Sequence, residues 1–267
     1  MIRIFALMLT ATTLICFACF GKLAHAESLT AQQQLALDIY KELVEINTVT
    51  ETGDTASAAE AMAARLRAAG FSESDVQVFM PAARKGNLVA RLRGTGARKP
   101  ILLLAHLDVV PARREDWSVD PFKLIEKDGY FYARGSIDDK FMAAAFVETL
   151  VRYKQEGYTP DRDIIVALET DEEILDRDAL GIQWLLKNHR ELIDAEFALN
   201  EGGSVGLKNG KPIRNSVQTS EKVSLSYKLE VSNKRWAQLP ADQRHRHLSL
   251  GRRSRALVKI HLSVQAE

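Results

Sequence analysis

The chain has 267 residues and a formal net charge of +1, and its length is enough for one large domain or for one and a half domains. Its two cysteines, Cys16 and Cys19, both lie in the apolar N-terminal segment, so the rest of the sequence excludes disulfides and cysteine–zinc sites. The charge is unevenly distributed. Residues 234–267 carry eight Lys and Arg and two Asp and Glu, which gives +6 there, while 28 basic and 33 acidic residues give −5 elsewhere.

Residues 1–26 have the pattern of a secretory signal peptide. Arg3 supplies the positive start, residues 4–20 are apolar, and Ala24-His25-Ala26 matches an A-x-A cleavage site. A membrane anchor is the alternative, but the apolar run is short for a span and no second one follows. A lipoprotein cysteine at Cys19 is a further alternative, although the residues before it match that pattern poorly. We therefore expect a periplasmic or secreted protein with no membrane attachment after cleavage.

The periodicity of apolar residues predicts alternating helices and strands. The predicted helices are 29–46 with Thr30 as N-cap, 55–69 closed by Gly70, 141–153 and 180–188. The predicted strands are 76–80, 87–93, 101–105, 164–170 and 196–200, with a hairpin at 122–132 that turns at Asp128-Gly129. This order predicts an α/β fold with a mixed, largely parallel sheet flanked by helices and with chemistry at the carboxyl ends of the strands. Residues 222–231 alternate apolar and polar, which predicts a half-exposed strand that opens a second domain.

The predicted strand 101–105 ends in His106-Leu107-Asp108. Side chains two residues apart in a strand point the same way, so an imidazole and a carboxylate arrive at one place. This pattern indicates a metal site in which the carboxylate orients the imidazole. The alternative is a strand end with two solvated polar residues.

Three acidic clusters lie at the ends of other elements. Asp138-Asp139 precedes a helix, Asp171-Glu172-Glu173 follows a buried strand, and Glu201 follows another. Neighbouring acids beside apolar strands are costly unless a cation compensates them, which favours a divalent-metal cluster. Taken singly, each cluster could instead be a solvated loop or a set of helix N-terminal acids.

The chain resembles the zinc-dependent exopeptidase and amidohydrolase family of glutamate carboxypeptidase, aminoacylase and succinyl-diaminopimelate desuccinylase. The motifs that carry the resemblance are A-H-L-D-V-V-P, D-W-S-V-D-P-F, Y-A-R-G-S-I-D-D-K, T-D-E-E and A-L-N-E-G-G, in family order between residues 31 and 233. The resemblance implies a catalytic domain at 27–215 and the first strand of an α+β lid or dimerisation domain at 216–233. It also implies a homodimer for an intact member, which is doubtful for this chain.

The resemblance implies a role for each matching residue. His106 and Glu201 would bind one Zn²⁺, Glu173 would bind a second, and Asp138 would bridge the two. Asp108 would hold the His106 imidazole, and Glu172 would be the general base. Cobalt or manganese could replace zinc. The implied activity is hydrolysis of a small peptide, as in a carboxypeptidase, or of an N-acyl amino acid.

After Asn233 the family pattern stops. The family would next supply a histidine for the substrate's oxyanion and, later, a last histidine for the second zinc, and residues 234–267 match neither. Permitted codons allow a one-base shift at this point to restore a G-G-H-S segment, so we interpret 234–267 as an out-of-frame, disordered tail and expect impaired turnover. A basic nucleic-acid arm is the alternative, but an exported protein with an acidic body makes nucleic acid a poor partner.

Two other functions remain open on the sequence. The chain could be a non-catalytic remnant that binds metal or peptide without turnover. Residues 202–206 match the G-x-S-x-G pattern of serine hydrolases, centred on Ser204. A nucleophile elbow also needs a following helix, and residues 207–212 are not helical in pattern.

Overall fold

A computed structural model describes residues 28–174 and 179–217 in full and the backbone of two further short strands. The predicted signal peptide at 1–26 lies outside the described residues. Contacts within the chain divide it into two units, Met1–Glu201 and Gly202–Glu267. The predicted domain limits at 215 and 233 stay predictions.

Four helices form close to where the apolar periodicity predicts them, and a fifth, short helix was not predicted. They are α1 (Ala31–Glu45), α2 (Thr55–Ala68), α3 (Lys140–Gln155), α4 (Ile182–Asn188) and α5 (Arg190–Ile193), with 3₁₀ turns at Glu73–Asp75 and Arg114–Asp116. Thr30 caps α1 through a capping box, because its hydroxyl accepts from the Gln33 amide while the Gln33 side chain accepts from the Thr30 amide. Gly70 follows α2 with φ +95°, a left-handed conformation that suits glycine after a helix.

The first unit contains one five-stranded sheet and one hairpin. The sheet strands are β1 (Val76–Ala82), β2 (Lys85–Leu92), β3 (Ile101–His106), β6 (Ile164–Glu169) and β7 (Phe197–Leu199), in the order β1-β2-β6-β3-β7. Strand β3 is parallel to β6 and β7, whereas β2 is antiparallel to β1 and β6. The predicted α/β fold with a mixed sheet flanked by helices is therefore confirmed. The hairpin pairs β4 (Ile125–Lys127) with β5 (Tyr130–Tyr132) and turns, as predicted, at Asp128-Gly129.

The central strands of the sheet, β2, β3 and β6, are buried on both faces, which explains why they are nearly continuous apolar runs. Along β6, Val166 and Leu168 pack with α1, α2 and α3, while Ile165 and Ala167 pack with α4 and α5. Because β3, β6 and β7 are parallel, their carboxyl ends meet at one edge of the sheet. This edge carries the polar residues that end each strand.

The second unit begins with a hairpin that the sequence pattern did not predict. Strand β8 (Ser204–Lys208) turns at Asn209-Gly210 into β9 (Lys211–Ser216). Ser204 thus opens a strand, and the segment after it is not a helix. This geometry does not provide the strand–turn–helix elbow that a serine hydrolase needs.

Two short strands are described beyond that hairpin. Strand β10 (Tyr227–Glu230) lies within the predicted strand 222–231 and pairs antiparallel with β11 (His261–Val264). The predicted disordered tail therefore includes one strand, and its other residues lie outside the described part of the chain. Within the described residues, no helix combines the length and the apolar character needed to cross a membrane.

Candidate metal centre

The candidate site lies at the carboxyl edge of the sheet around His106. His106 is the last residue of β3 and only 2% of its side chain is exposed. Its Nε2 atom lies 2.9 Å from Asp138 Oδ1, 3.7 Å from Glu201 Oε2 and 3.9 Å from Glu172 Oε2. The structure thus brings together residues from four separate segments around one ring nitrogen.

The orientation of the His106 ring is set by the main chain of Asp108. The Nδ1 atom lies 2.9 Å from the Asp108 carbonyl oxygen, whereas the Asp108 carboxylate is 3.7 Å away. A carbonyl only accepts hydrogen bonds, so it places a proton on Nδ1 and directs Nε2 toward the carboxylates of Asp138, Glu201 and Glu172. The resemblance gave this orienting role to Asp108, and the nearest atom that performs it is the carbonyl oxygen.

The buried carboxylate of Asp108 instead holds the turn after β6. Its two oxygens accept hydrogen bonds from the amides of Glu172 and Glu173, each at 3.1 Å. Burial alone would raise the pKa of Asp108, but the nearby His106 ring and the bonds from these amides lower it below its usual value. Asp108 therefore stays ionised and ties the end of β6 to the end of β3.

Asp138 lies in the loop that leads into α3. Gly135 precedes it with φ +81°, and a Cβ at that glycine would lie 2.8 Å from Val109 Cγ1, so the loop packs closely on the strand end. The Tyr40 hydroxyl donates to the Ser136 carbonyl at 2.6 Å. The peptide bond between Asp138 and Asp139 is cis. Asp138 itself is 61% exposed, so the site opens to solvent on this side.

The electrostatics of the site show an excess of negative charge. Burial alone would lower the pKa of His106, but Asp108, Asp138 and Glu172 raise it to about 10. Burial raises the pKa of Asp139 to about 7, with Glu201 contributing in the same direction. Burial and neighbouring carboxylates also raise the pKa of Glu172. A cluster with this charge favours a bound cation.

The donor atoms fit a divalent metal ion. One imidazole nitrogen of His106 and one carboxylate oxygen each from Asp138 and Glu201 all lie within 4.8 Å of one another. A histidine with two carboxylates is a ligand set that suits Zn²⁺. Within the described residues Glu173 lies outside this triad. Burial and the charge of Asp138 raise the pKa of its carboxyl group.

The family of the chain follows from its sequence. Residues 102–248 match the family model described as Peptidase family M20/M25/M40. The match continues past Asn233, where the motifs recognised in the sequence end. The chain belongs to this family. The match includes every residue that the structure gathers at the candidate metal centre.

The curated M20 relatives are longer than the aligned part of this chain. The human N-fatty-acyl-amino acid synthase/hydrolase PM20D1 is 36% identical over 50% of this chain and 27% of that protein. The succinyl-diaminopimelate desuccinylase of Delftia acidovorans is 37% identical over 51% of this chain and 36% of that enzyme. Pig (Sus scrofa) aminoacylase-1 is 30% identical over 62% of this chain and 40% of that enzyme. The chain thus spans less than half the length of these relatives.

Solved M20 structures share the fold. Human carnosine dipeptidase 1 aligns with a TM-score of 0.52 and 21% identity over 63% of this chain and 38% of that chain. The M20 family metallo-carboxypeptidase Sso-CP2 from Sulfolobus solfataricus aligns with a TM-score of 0.53 and 19% identity over 64% of this chain and 38% of that chain. At these identities the likeness concerns the fold alone.

Several polar residues around the M20 site were not singled out from the sequence. The amide of His106 donates to the buried Asp139 carboxylate at 3.4 Å, and the fully buried Lys140 donates to the Ile46 carbonyl at 2.7 Å. Glu169, at the end of β6, accepts from the Ile182 amide. Asp139 and Lys140 belong to the motif Y-A-R-G-S-I-D-D-K, but the sequence does not indicate which charged residues of this motif are buried.

Glu169 gives a prediction about pH and stability. Burial raises its pKa to about 7 in the folded chain, against a value of about 4.3 for an unfolded glutamate. A raised acid pKa stabilises the fold fully below the unfolded pKa, and this stabilisation is lost as the pH rises through the folded pKa. Glu169→Gln keeps an acceptor for the Ile182 amide and cannot ionise. As the pH rises from 4 to 8, we therefore expect the free energy of unfolding of the variant to increase by roughly 3 kcal/mol relative to that of the parent chain.

Urea unfolding of both chains in the presence of a chelator, at pH 4, 6 and 8, measures this gain. The exposed Glu191→Gln is the matched control and should follow the parent chain at every pH. An equal free-energy difference between Glu169→Gln and the parent at all three pH values would contradict the prediction.

Proposed function

We propose that this chain hydrolyses amide bonds next to a free carboxylate with the help of two divalent cations, zinc in the first instance. We also propose that its turnover is impaired, because residues 234–267 match neither of the two later histidines of the family pattern. The observation that carries the proposal is the convergence of His106, Asp138 and Glu201 from separate strand ends and loops. Membership of the M20 family supports the same reaction class.

The residues that would hold the cations are those that the family resemblance implies. His106, Asp138 and Glu201 would hold one, and Asp138 with Glu173 would hold the second. When bound, such cations supply positive charge that polarises the scissile carbonyl and acidifies water. Cobalt or manganese would satisfy the same oxygen and nitrogen donors.

We propose Glu172 as the group that moves the proton. Its carboxylate lies 3.9 Å from His106 Nε2 and is 41% exposed, so it reaches both the site and incoming substrate. Burial first, and then the charges of Glu201, Glu173 and Asp108, raise its pKa above the usual value, against the opposing charge of His106. A carboxylate with a raised pKa is a stronger base, which can take a proton from water and return it to the leaving amine.

The substrate class is drawn from the relatives. Their names specify N-fatty-acyl amino acids and succinyl-diaminopimelate, and the matching family is described as a peptidase family. We propose a small peptide or an N-acyl amino acid for this chain. We also propose that it acts in a periplasm or outside the cell, because residues 1–26 have the pattern of a secretory signal.

Removal and return of metal tests the proposal. The purified chain is assayed on an N-acyl amino acid and on a dipeptide before chelation, after chelation and after addition of Zn²⁺, with native mass spectrometry to count bound ions. We expect hydrolysis to disappear on chelation and to return with zinc, and an active-site serine reagent to have no effect. Hydrolysis that survives chelation would contradict the proposal. Bound zinc without turnover would favour the non-catalytic alternative.

A further inference from the structure

A buried ion pair lies behind the turn that carries Glu172 and Glu173. The Lys85 ammonium, at the start of β2, bonds to the Asp171 carboxylate, and the two side chains are 16% and 3% exposed. Lys85 Nζ also donates to the Thr50 carbonyl at 3.2 Å. Neither side chain belongs to the metal triad.

Asp171 has an unusual backbone conformation. Its φ is +65°, the left-handed region that non-glycine residues enter only at a cost in free energy. Immediately after this residue, the amides of Glu172 and Glu173 donate to the Asp108 carboxylate. The left-handed residue therefore marks the point at which the chain turns these two amides toward Asp108.

The residue before the turn is fixed by other bonds. The Thr170 amide donates to Asn87 Oδ1 at 2.9 Å, and its hydroxyl shares a hydrogen bond of 2.8 Å with Thr55 Oγ1. Strand β6 is thus anchored up to Thr170, and Asp108 anchors the chain from Glu172 onward. Within the turn itself, the Asp171 carboxylate accepts from the Thr170 hydroxyl at 3.3 Å and from the Lys85 ammonium. Of these two contacts, the bond to Lys85 is the one that ties the turn to another strand.

We propose that the Lys85–Asp171 ion pair is a positioning pair, which holds the turn after β6 in the conformation that presents Glu172 and Glu173 to the metal centre. This inference rests on the proposed function, in which Glu172 is the general base. Buried ion pairs contribute little net stability, because desolvation offsets their attraction. The main effect of this pair is therefore to fix the conformation of the turn. Lys85 is a positioning residue that touches no reacting group.

The chain contains a matched ion pair at the opposite end of the same strands. Arg91, near the end of β2, bonds to Asp163 at 2.9 Å just before β6 begins, and these side chains are 16% and 18% exposed. Both pairs join β2 to a residue flanking β6, with comparable burial. Only the Lys85–Asp171 pair lies at the edge that carries the site.

The experiment compares Lys85→Met, Lys85→Arg and Arg91→Met in the full chain loaded with Zn²⁺. It measures kcat and KM on an N-acyl amino acid, and hydrogen exchange of the Glu172 and Glu173 amides by mass spectrometry. We expect Lys85→Met to lower kcat by roughly tenfold or more, since a small displacement of a catalytic group is costly, and to leave KM within about twofold. Exchange at the two amides should rise about tenfold or more, because their bonds to Asp108 open more often.

The controls separate position from general stability. Lys85→Arg keeps the ion pair and should restore kcat and the amide exchange rates to those of the parent chain. Arg91→Met should leave both within about twofold of the parent values. If Lys85→Met does not fold, Asp171→Asn replaces it, because asparagine tolerates the left-handed conformation without the charge.

Unchanged exchange at Glu172 and Glu173 in Lys85→Met would overturn the inference, and so would equal losses in Arg91→Met. If the parent chain does not hydrolyse any substrate, the proposed function fails, and the exchange measurement still decides whether the pair holds the turn.

Discussion

Glu172→Gln should lower kcat by about 10²- to 10⁴-fold, the usual range for loss of a general base. Glutamine has nearly the same shape, and its backbone amide can still donate to the Asp108 carboxylate at 3.1 Å as in the parent chain. The turn should therefore keep its place. An amide side chain cannot accept the proton from water at neutral pH, so only proton transfer is lost. Steady-state kinetics of the zinc-loaded variant on an N-acyl amino acid measures the effect.

The neighbouring substitution Glu173→Gln is the control for this prediction. The two residues share one turn, but we assign Glu173 to a cation and Glu172 to the proton. Native mass spectrometry should find the full number of ions in Glu172→Gln and one fewer in Glu173→Gln. A Glu172→Gln chain that loses metal, or that retains more than about a tenth of the parent kcat, would contradict the assignment of the base.

The positions of the candidate ligands could be predicted because each follows a local signal. The strands β3 and β6 are apolar runs that fit a sheet buried on both faces, and each run ends abruptly at a polar residue. Parallel strands bring their carboxyl ends to one edge, so His106 and the Glu172 turn had to lie near one another. The carboxylates of Asp138 and Glu201, which the resemblance also implied as ligands, lie 2.9 and 3.7 Å from His106 Nε2.

The atoms that orient the His106 ring and the turn of Glu172 and Glu173 could not be predicted, because their positions depend on the path of the chain between helices and strands. The motif H-x-D indicated a carboxylate beside the imidazole, whereas the nearest contact is the Asp108 carbonyl. The carboxylate turns to the amides of Glu172 and Glu173, which become available only after Asp171 enters the left-handed region. Lys85, 86 residues away in the sequence, gives no local sign of its bond to Asp171.

One element was missed although its signal is present. The hairpin of β8 and β9 turns at Asn209-Gly210, a dipeptide that favours the two-residue turns of hairpins. The overlapping G-x-S-x-G pattern indicates Ser204 as a nucleophile. On that interpretation, the turn residues are only evidence against a following helix. A hairpin interpretation would have removed the serine-hydrolase alternative without a structure.

His106→Ala should remove tight metal binding altogether. The imidazole supplies the only nitrogen among the three donors of the described triad, and the remaining oxygens of Asp138 and Glu201 are 61% and 40% exposed, where water competes for a cation. Loss of a group that hydrogen-bonds to a metal ligand lowers metal affinity by roughly 10- to 100-fold. We expect loss of the ligand His106 itself to lower the affinity for Zn²⁺ by more than this. Competition with a zinc-binding dye measures the affinity directly and does not depend on turnover.

Asp108→Asn sharpens that measurement, because the orienting atom is the Asp108 carbonyl, which every substitution retains. The asparagine side chain of this variant keeps one acceptor oxygen for the two amides and loses the negative charge. We therefore expect zinc affinity to fall by no more than about tenfold, the lower end of the range for outer partners, while kcat falls further as the Glu172 turn loosens. If the carboxylate were instead the group that holds the imidazole, Asp108→Asn would lose zinc nearly as completely as His106→Ala. Equal affinities of the two variants would therefore assign the orienting role to the side chain and contradict the geometry of the main chain.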